Sequence, residues 1–384
     1  MASCEKDGKK LYPITETTFN DQNGLTINYS GSPLLGKTVK FTQDANDRSQ
    51  ARLVMNGVLD ISNLLEAMPT ITTLPAAGVI PGSKETTLSV NLVADTDTSY
   101  TFSGDADDTY CTYSYSGKVS DSSLSLDITN ASLKDKTLCG KWNVVPYVYN
   151  DSDPWNAFVE STPTHVVWES DSKVDLLGSP NEMQDLLSIL LLMPIIGDEE
   201  PLNIPQALAT VLKSVDFRED GNLVASFLDV ENEATAFIDS PVNLANYVVK
   251  GEGNFNLYLN AAAIIAEATR ADITDVIDLE NILGNVIAQL MPMLSDGIPM
   301  HYKLENGKLL AYLGEDVLLP LLKENVSPIL SNPEAVQAII DSISGDLDPD
   351  MAELVGMILP SMLPSIAEVI DNTTKLEIGI NLTK

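Results

Sequence analysis

Positive charge is scarce in this chain: 22 lysines and arginines stand against 55 aspartates and glutamates, a net charge of −33 over 384 residues. Such a field repels phosphate backbones and anionic bilayers, which argues against nucleic acid and against a purely electrostatic hold on a membrane. The acidity itself is an ordinary solubility device. Histidine is scarcer still. His165 and His301 are the only two, each alone on a predicted strand, where a solvated or cross-strand role is commoner than catalysis or metal ligation. Three cysteines without metal-type spacing argue against a zinc site. The sequence has no Gly-x-Ser-x-Gly elbow, no phosphate-binding loop and no dinucleotide fingerprint, so no cofactor is expected. Uninterrupted apolar runs stop short of the ~18 residues that a membrane span needs. The nearest, 186–197 and 354–367, contain prolines and read as buried helices.

What the chain does have is a globular composition. A hydrophobic content of 44% is that of a folded protein, and the length suggests two domains. Residues 1–23 are polar and read as a tether. Over 24–136 short alternating stretches at 25–29, 39–42, 52–55, 87–94, 99–103, 110–116 and 123–129 predict an antiparallel β meander joined by Asp- and Gly-rich turns. A short helical stretch at 60–69 interrupts it.

The texture changes at Leu138-Cys139-Gly140-Lys141-Trp142-Asn143-Val144. Over 137–384 strands alternate with apolar helices. Ser179-Pro180-Asn181-Glu182 has the form of a capping box, followed by a stripe of Met183, Leu186, Leu187, Leu190 and Leu191. Asp220-Gly221 and Asn306-Gly307 predict hairpins. Helices are predicted at 206–212, 273–294, 317–330, 333–344 and 349–370, and a closing strand at 375–382. A hydrophobic–proline step ends apolar helices at Met68-Pro69, Met193-Pro194, Met291-Pro292, Leu319-Pro320 and Leu359-Pro360. The fold class expected is α+β, predominantly antiparallel β: a barrel or curved sheet with helical insertions between strands.

Acidic clusters offer little chemistry. Asp105, Asp107 and Asp108 gather at a turn. Asp346-Leu347-Asp348-Pro349-Asp350 opens like a calcium loop, but Met351 replaces its glycine and Met357 its bidentate glutamate. Asp348 as a helix cap explains that run better. An enzyme is not expected; among enzymatic readings, a glycan hydrolase needs two carboxyls at a set separation, which is a three-dimensional matter. Met193, Met291, Met293, Met351, Met357 and Met362 lie on or beside the apolar helices, suited to filling a core or to meeting a greasy ligand.

Two stretches carry a family resemblance. Met1-Ala2-Ser3-Cys4, followed by Glu5-Lys6-Asp7-Gly8-Lys9-Lys10, resembles the end of a bacterial lipoprotein signal and the export tag of Bacteroides-type surface lipoproteins. Gly140-x-Trp142 at the head of a strand, followed by hairpins, resembles the lipocalin (calycin) signature; the last strand carries Lys375 and Lys384 but no arginine to pack over the Trp. Together the chain resembles Bacteroides-type lipoproteins with a calycin-like β domain. The resemblance implies a lipid on Cys4, attachment at the outer membrane or cell surface on its periplasmic or extracellular face, and a hydrophobic or amphipathic ligand inside the β domain. The alternative is a non-enzymatic structural or interaction module of a cell-envelope complex. In that compartment Cys111 and Cys139 are an even pair, whose bridging would contribute ~3–4 kcal/mol; two free thiols are the alternative.

Overall fold

The computed structural model describes residues 12–60, 72–149, 159–196, 201–229, 235–270, 292–345 and 349–384. The chain forms two compact units. The first takes 1–141, 216–224 and 239–298; the second takes 142–215, 225–238 and 299–384. The division after Lys141 falls close to the change of texture at 137. The segments 216–224 and 239–298, expected in the later domain, instead belong to the first unit. Alternation marks a strand but carries no information about which sheet it joins.

The first unit holds two sheets. In one, Lys37–Gln43 lies between Thr17–Asn20 and Gln50–Asp60, and the latter is flanked further by Thr73–Ala76 and Glu85–Asn91. The other runs in the order Ser32–Pro33, Leu25–Tyr29, Leu124–Leu133, Cys111–Ser120, Ser99–Asp107, Val93–Ala94. It is not the simple meander expected, because Leu25–Tyr29 and Leu124–Leu133 pair in parallel. Alternate residues of both sheets are buried, among them Val39, Phe41, Leu53 and Met55 on the first and Ile27, Tyr29, Leu126 and Ile128 on the second. Each side chain of this size contributes about 1.5–3 kcal/mol by leaving water. The expected tether is shorter than 1–23. Ile14 and Phe19 are buried, and Thr17–Asn20 pairs with Lys37–Gln43, so two apolar anchors hold a stretch whose average is polar.

Lys37 occupies a core-facing position on its strand, in line with Val39 and Phe41, and is only 3% exposed. Its Nζ donates to the Ala77 carbonyl at 2.7 Å. Burial pushes the amine down to about 8, against a smaller opposing pull from Asp21. Below pH 8 both folded and unfolded chains carry the proton and the cost of burying it is complete. Between about pH 8 and 10.5 the folded chain releases it first, so stability rises with pH. The difference is roughly 3 kcal/mol. Denaturation of the wild type and Lys37→Met across this range should show that rise in the wild type alone. Parallel curves would refute the assignment.

In the second unit the C-terminal strand Thr373–Thr383 is central. One of its edges pairs with Thr164–Ser170 and, further along, with Asn143 and Val144; the other pairs with Lys308–Leu313, which pairs in turn with His301–Glu305 of the strand Ile298–Glu305. The Asn306-Gly307 hairpin forms as predicted, both residues at positive φ (51° and 74°), as a tight two-residue turn requires. Among the described residues the sheet does not close into a barrel. Antiparallel β structure with helices is therefore the fold class, and a curved open sheet is compatible with it.

The helices differ from expectation in three ways. Ser179–Asn181 is a strand paired with Val174–Leu176 across Leu177 and Gly178, so the predicted capping box does not form, and Glu182 precedes helix Met183–Leu192 without a side-chain cap. Proline does not always end a helix. Pro320 lies inside Glu315–Leu321, which relaxes into the π-turn Leu322–Val326, and Pro360 and Pro364 lie inside Pro349–Asp371. Finally, the runs read as buried helices are only partly buried, Ala367 being enclosed at the end of the second. Helix Met183–Leu192 has no buried residue, and Leu354 and Met357 are 42% and 57% exposed. By length and composition alone, Ala352–Asp371 could cross a membrane; 17% of its apolar stretch is buried. The helices predicted over 60–69 and 273–294 fall, beyond Asp60 and up to Met291, outside the described residues.

Candidate functional site

One concavity of the second unit is built on a short helix. Asn203 caps Ile204–Val211 by accepting from the Gln206 backbone N–H at 2.8 Å, and Gln206 Oε1 accepts from the Asn203 N–H at 3.0 Å. With Pro205 in the first turn, this is the reciprocal box that the sequence reading placed elsewhere. Asn203 Nδ2 also donates to the Tyr147 hydroxyl at 3.2 Å, tying the helix start to the segment that follows Trp142. Gln206, Ala209 and Thr210, spaced i, i+3, i+4, share one helix face. With Val144, Pro146, Tyr147, Leu202, Leu212, Lys213 and Phe237 they line a groove of about 490 Å³. Leu202 forms a bridge to Ile196, which with Ile195 is exposed, as are Val148, Tyr149 and Ile238. A groove of this lining can hold an apolar chain.

A second constellation lies on one face of the sheet. Cross-strand register aligns His165, Gly379, Tyr312 and His301 in a row over four strands. With no side chain at Gly379, the His165 and Tyr312 rings approach to 5.8 Å; His301 lies 5.3 Å from the same tyrosine. His165 Nε2 meets Glu377 Oε2 at 2.7 Å, and His301 Nε2 meets Asp316 Oδ1 at 2.9 Å. Both histidines thus have the cross-strand role weighed for them. Lys303 Nζ lies 3.4 Å and Lys375 Nζ 3.7 Å from Glu377 Oε1. Burial alone would push the Glu377 carboxyl up; the His165 hydrogen bond and the two lysines outweigh it and hold it below the ordinary range. Lys37 and Glu377 are the charged side chains buried among the described residues, one in each unit.

Replacing Glu377 with glutamine should cost about 2–3 kcal/mol at pH 7, reduced from the value for a fully buried pair because both lysines are half-exposed. The native carboxylate's contribution is complete above the ordinary value of 4.5 and fades as pH falls through its lower folded value. Urea titrations should therefore show the two proteins converging below pH 4.5. A gap independent of pH would contradict the charge argument.

The remaining residues singled out by sequence are dispersed. Cys4 lies outside the described residues. Cys111 and Cys139 are not bridged. Cys111 is buried, which pushes its thiol up to about 12; Cys139 is half-buried, and burial raises it too, its sulfur 3.2 Å from the Tyr247 hydroxyl. Neither is a reactive thiolate. Asp105 accepts from Ser114, Asp107 pairs with Lys134, and Asp108 accepts from Ser83 and Thr86, so the three acids turn to different partners. No cluster able to hold a metal occurs among the described residues. Asp346 and Asp348 lie outside them. Gly140 adopts φ +125° and opens its strand; Trp142 is 1% exposed, with Lys384 Nζ 4.7 Å above its ring. The lysine covers the Trp, in the absence of an arginine. Groove residues from 144–147, 202–213 and 237 were not singled out by sequence; Asn203-Ile204-Pro205-Gln206 was the one local signal available.

No known protein family matches the chain, and neither a curated protein nor a solved structure is detectably similar to it.

Proposed function

We propose that this chain is an extracytoplasmic protein, held by a lipid on Cys4 at the outer membrane or cell surface, that binds a hydrophobic or amphipathic ligand. The observation that carries this reading is the groove along Ile204–Val211, apolar over most of its lining and continued by exposed Ile195 and Ile196. Ligand sites are concavities of this kind, mostly apolar with a few placed polar groups. A calycin-like origin for the second unit is part of the proposal. It is supported by Trp142 near a strand start with a basic side chain over its ring, although the ligand would lie in a groove and not inside a barrel. Native mass spectrometry after mild purification should find a retained amphiphile; an empty protein that also fails to take up a lipid probe would count against ligand binding. Loss of palmitate labelling in Cys4→Ser tests the anchor separately.

A second reading, an interaction module of an envelope complex, is favoured by the apolar side chains exposed on the helices of the second unit: Ile329, Ile343, Leu354 and Met357. Patches of this kind mark protein or membrane contacts. Copurification of a stoichiometric protein partner from native membranes, lost in Leu354→Glu/Met357→Glu, is the result that would favour it.

A further inference from the structure

In a chain with 55 acidic residues, concave surfaces tend to collect them. One groove in the first unit includes Asp21 and Asp60; another in the second unit includes Glu160 and Glu305. The groove along Ile204–Val211 has no carboxylate among its described lining residues, and its one charged group is Lys213. Lys213 Nζ stands 5.2 Å from the centroid of the Phe237 ring and meets no carboxylate among the described residues. The neighbouring polar groups are neutral, and part of their capacity is used, the Tyr147 hydroxyl accepting from Asn203. Gln206 closes the helix cap, and the Thr210 hydroxyl donates to the Gln206 carbonyl at 2.8 Å. The ammonium is the one charged donor among the described lining residues, and most of the other lining side chains are apolar.

Resting on the ligand-binding reading above, we propose that this groove takes a single-chain anionic amphiphile, a free fatty acid, with its carboxylate on Lys213 and its chain along Leu202, Leu212, Val144 and Phe237. The overall charge of −33 opposes an anion at long range, but physiological salt screens that field within about 8–10 Å. At contact the local ammonium decides, and Phe237 shields one side of it from water.

The test uses the purified full chain and displacement of a fluorescent fatty-acid probe by dodecanoic acid, dodecanol or dodecyltrimethylammonium. The acid should displace the probe at a concentration roughly fivefold below that of the alcohol, with the cation weakest. In Lys213→Gln the acid should fall to within about twofold of the alcohol, whose own affinity stays unchanged; Lys308→Gln should leave the acid's advantage intact. Equal displacement by acid and alcohol in the wild type would overturn the head-group assignment and leave ligand binding standing. Failure of every amphiphile to displace, or of the probe to bind, would remove both. An acid preference that survives Lys213→Gln, or binding confined to anionic phospholipid vesicles, would overturn the proposal.

Discussion

Gly57→Ala is expected to destabilise the first unit by about 3–5 kcal/mol, among the largest effects of any single methyl addition in this protein. Gly57 sits in Gln50–Asp60 with Lys37 on one side and Ala76 on the other. A Cβ built there would lie 1.8 Å from the Ala77 carbonyl oxygen and 2.5 Å from that of Ala76. Both obstacles are backbone, so a rotamer change cannot relieve them. Relief requires the edge Thr73–Ala76 to move away, and that movement also withdraws the carbonyl on which the Lys37 ammonium depends. Steric and electrostatic costs therefore add. Urea denaturation of the variant beside Gly345→Ala, whose added methyl meets nothing within 4 Å, separates the site from the substitution. A loss below about 1 kcal/mol would mean that the edge strand is looser than its register suggests.

Trp142→Ala should cost the second unit a comparable 3–5 kcal/mol. The indole is the largest of the fully buried side chains, on a strand whose next residues, Asn143 and Val144, pair with Thr383 and Leu382 at the end of the C-terminal strand. Truncation leaves a cavity of indole size in a close-packed interior, which costs the lost transfer energy and the void together. The cation above the ring contributes far less. Lys384 is exposed, and Lys384→Ala should lose only about 0.5–1 kcal/mol. If the two variants proved equally costly, the Trp would be held by its cation and not by its burial. Since Val144 also lines the groove, probe affinity in Trp142→Phe provides an independent reading of whether this strand positions the ligand wall.

How far such features were legible beforehand depended on whether they are local. Asn306-Gly307 turned as expected because the left-handed conformations it needs are properties of those two residues. Phe19 and Ile14 were hidden because a composition average over 1–23 dilutes two apolar anchors. Ser179-Pro180-Asn181-Glu182 misled for a different reason: Leu177 and Gly178 ahead of it turn the chain back, and the serine is spent on strand pairing with Leu176. The true box, Asn203 to Gln206, has the same local grammar, and there the asparagine and glutamine side chains are both spent on the cap.

From the amino-acid order alone came the β-rich class, the hairpin positions, the change of texture near Trp142, and the charge that argues against nucleic acid. All of these follow from periodicity of two, turn chemistry and a count, none of which needs to know what lies across space. Tertiary structure decided the rest. It sent 216–224 and 239–298 to the first unit, left Cys111 and Cys139 apart, lined both histidines up on Tyr312, and placed Lys213 as the one charged group among the described lining residues of an apolar groove. These are pairings between residues tens to hundreds of positions apart. Side-chain burial across a sheet selects them, and no local pattern in the chain encodes that choice.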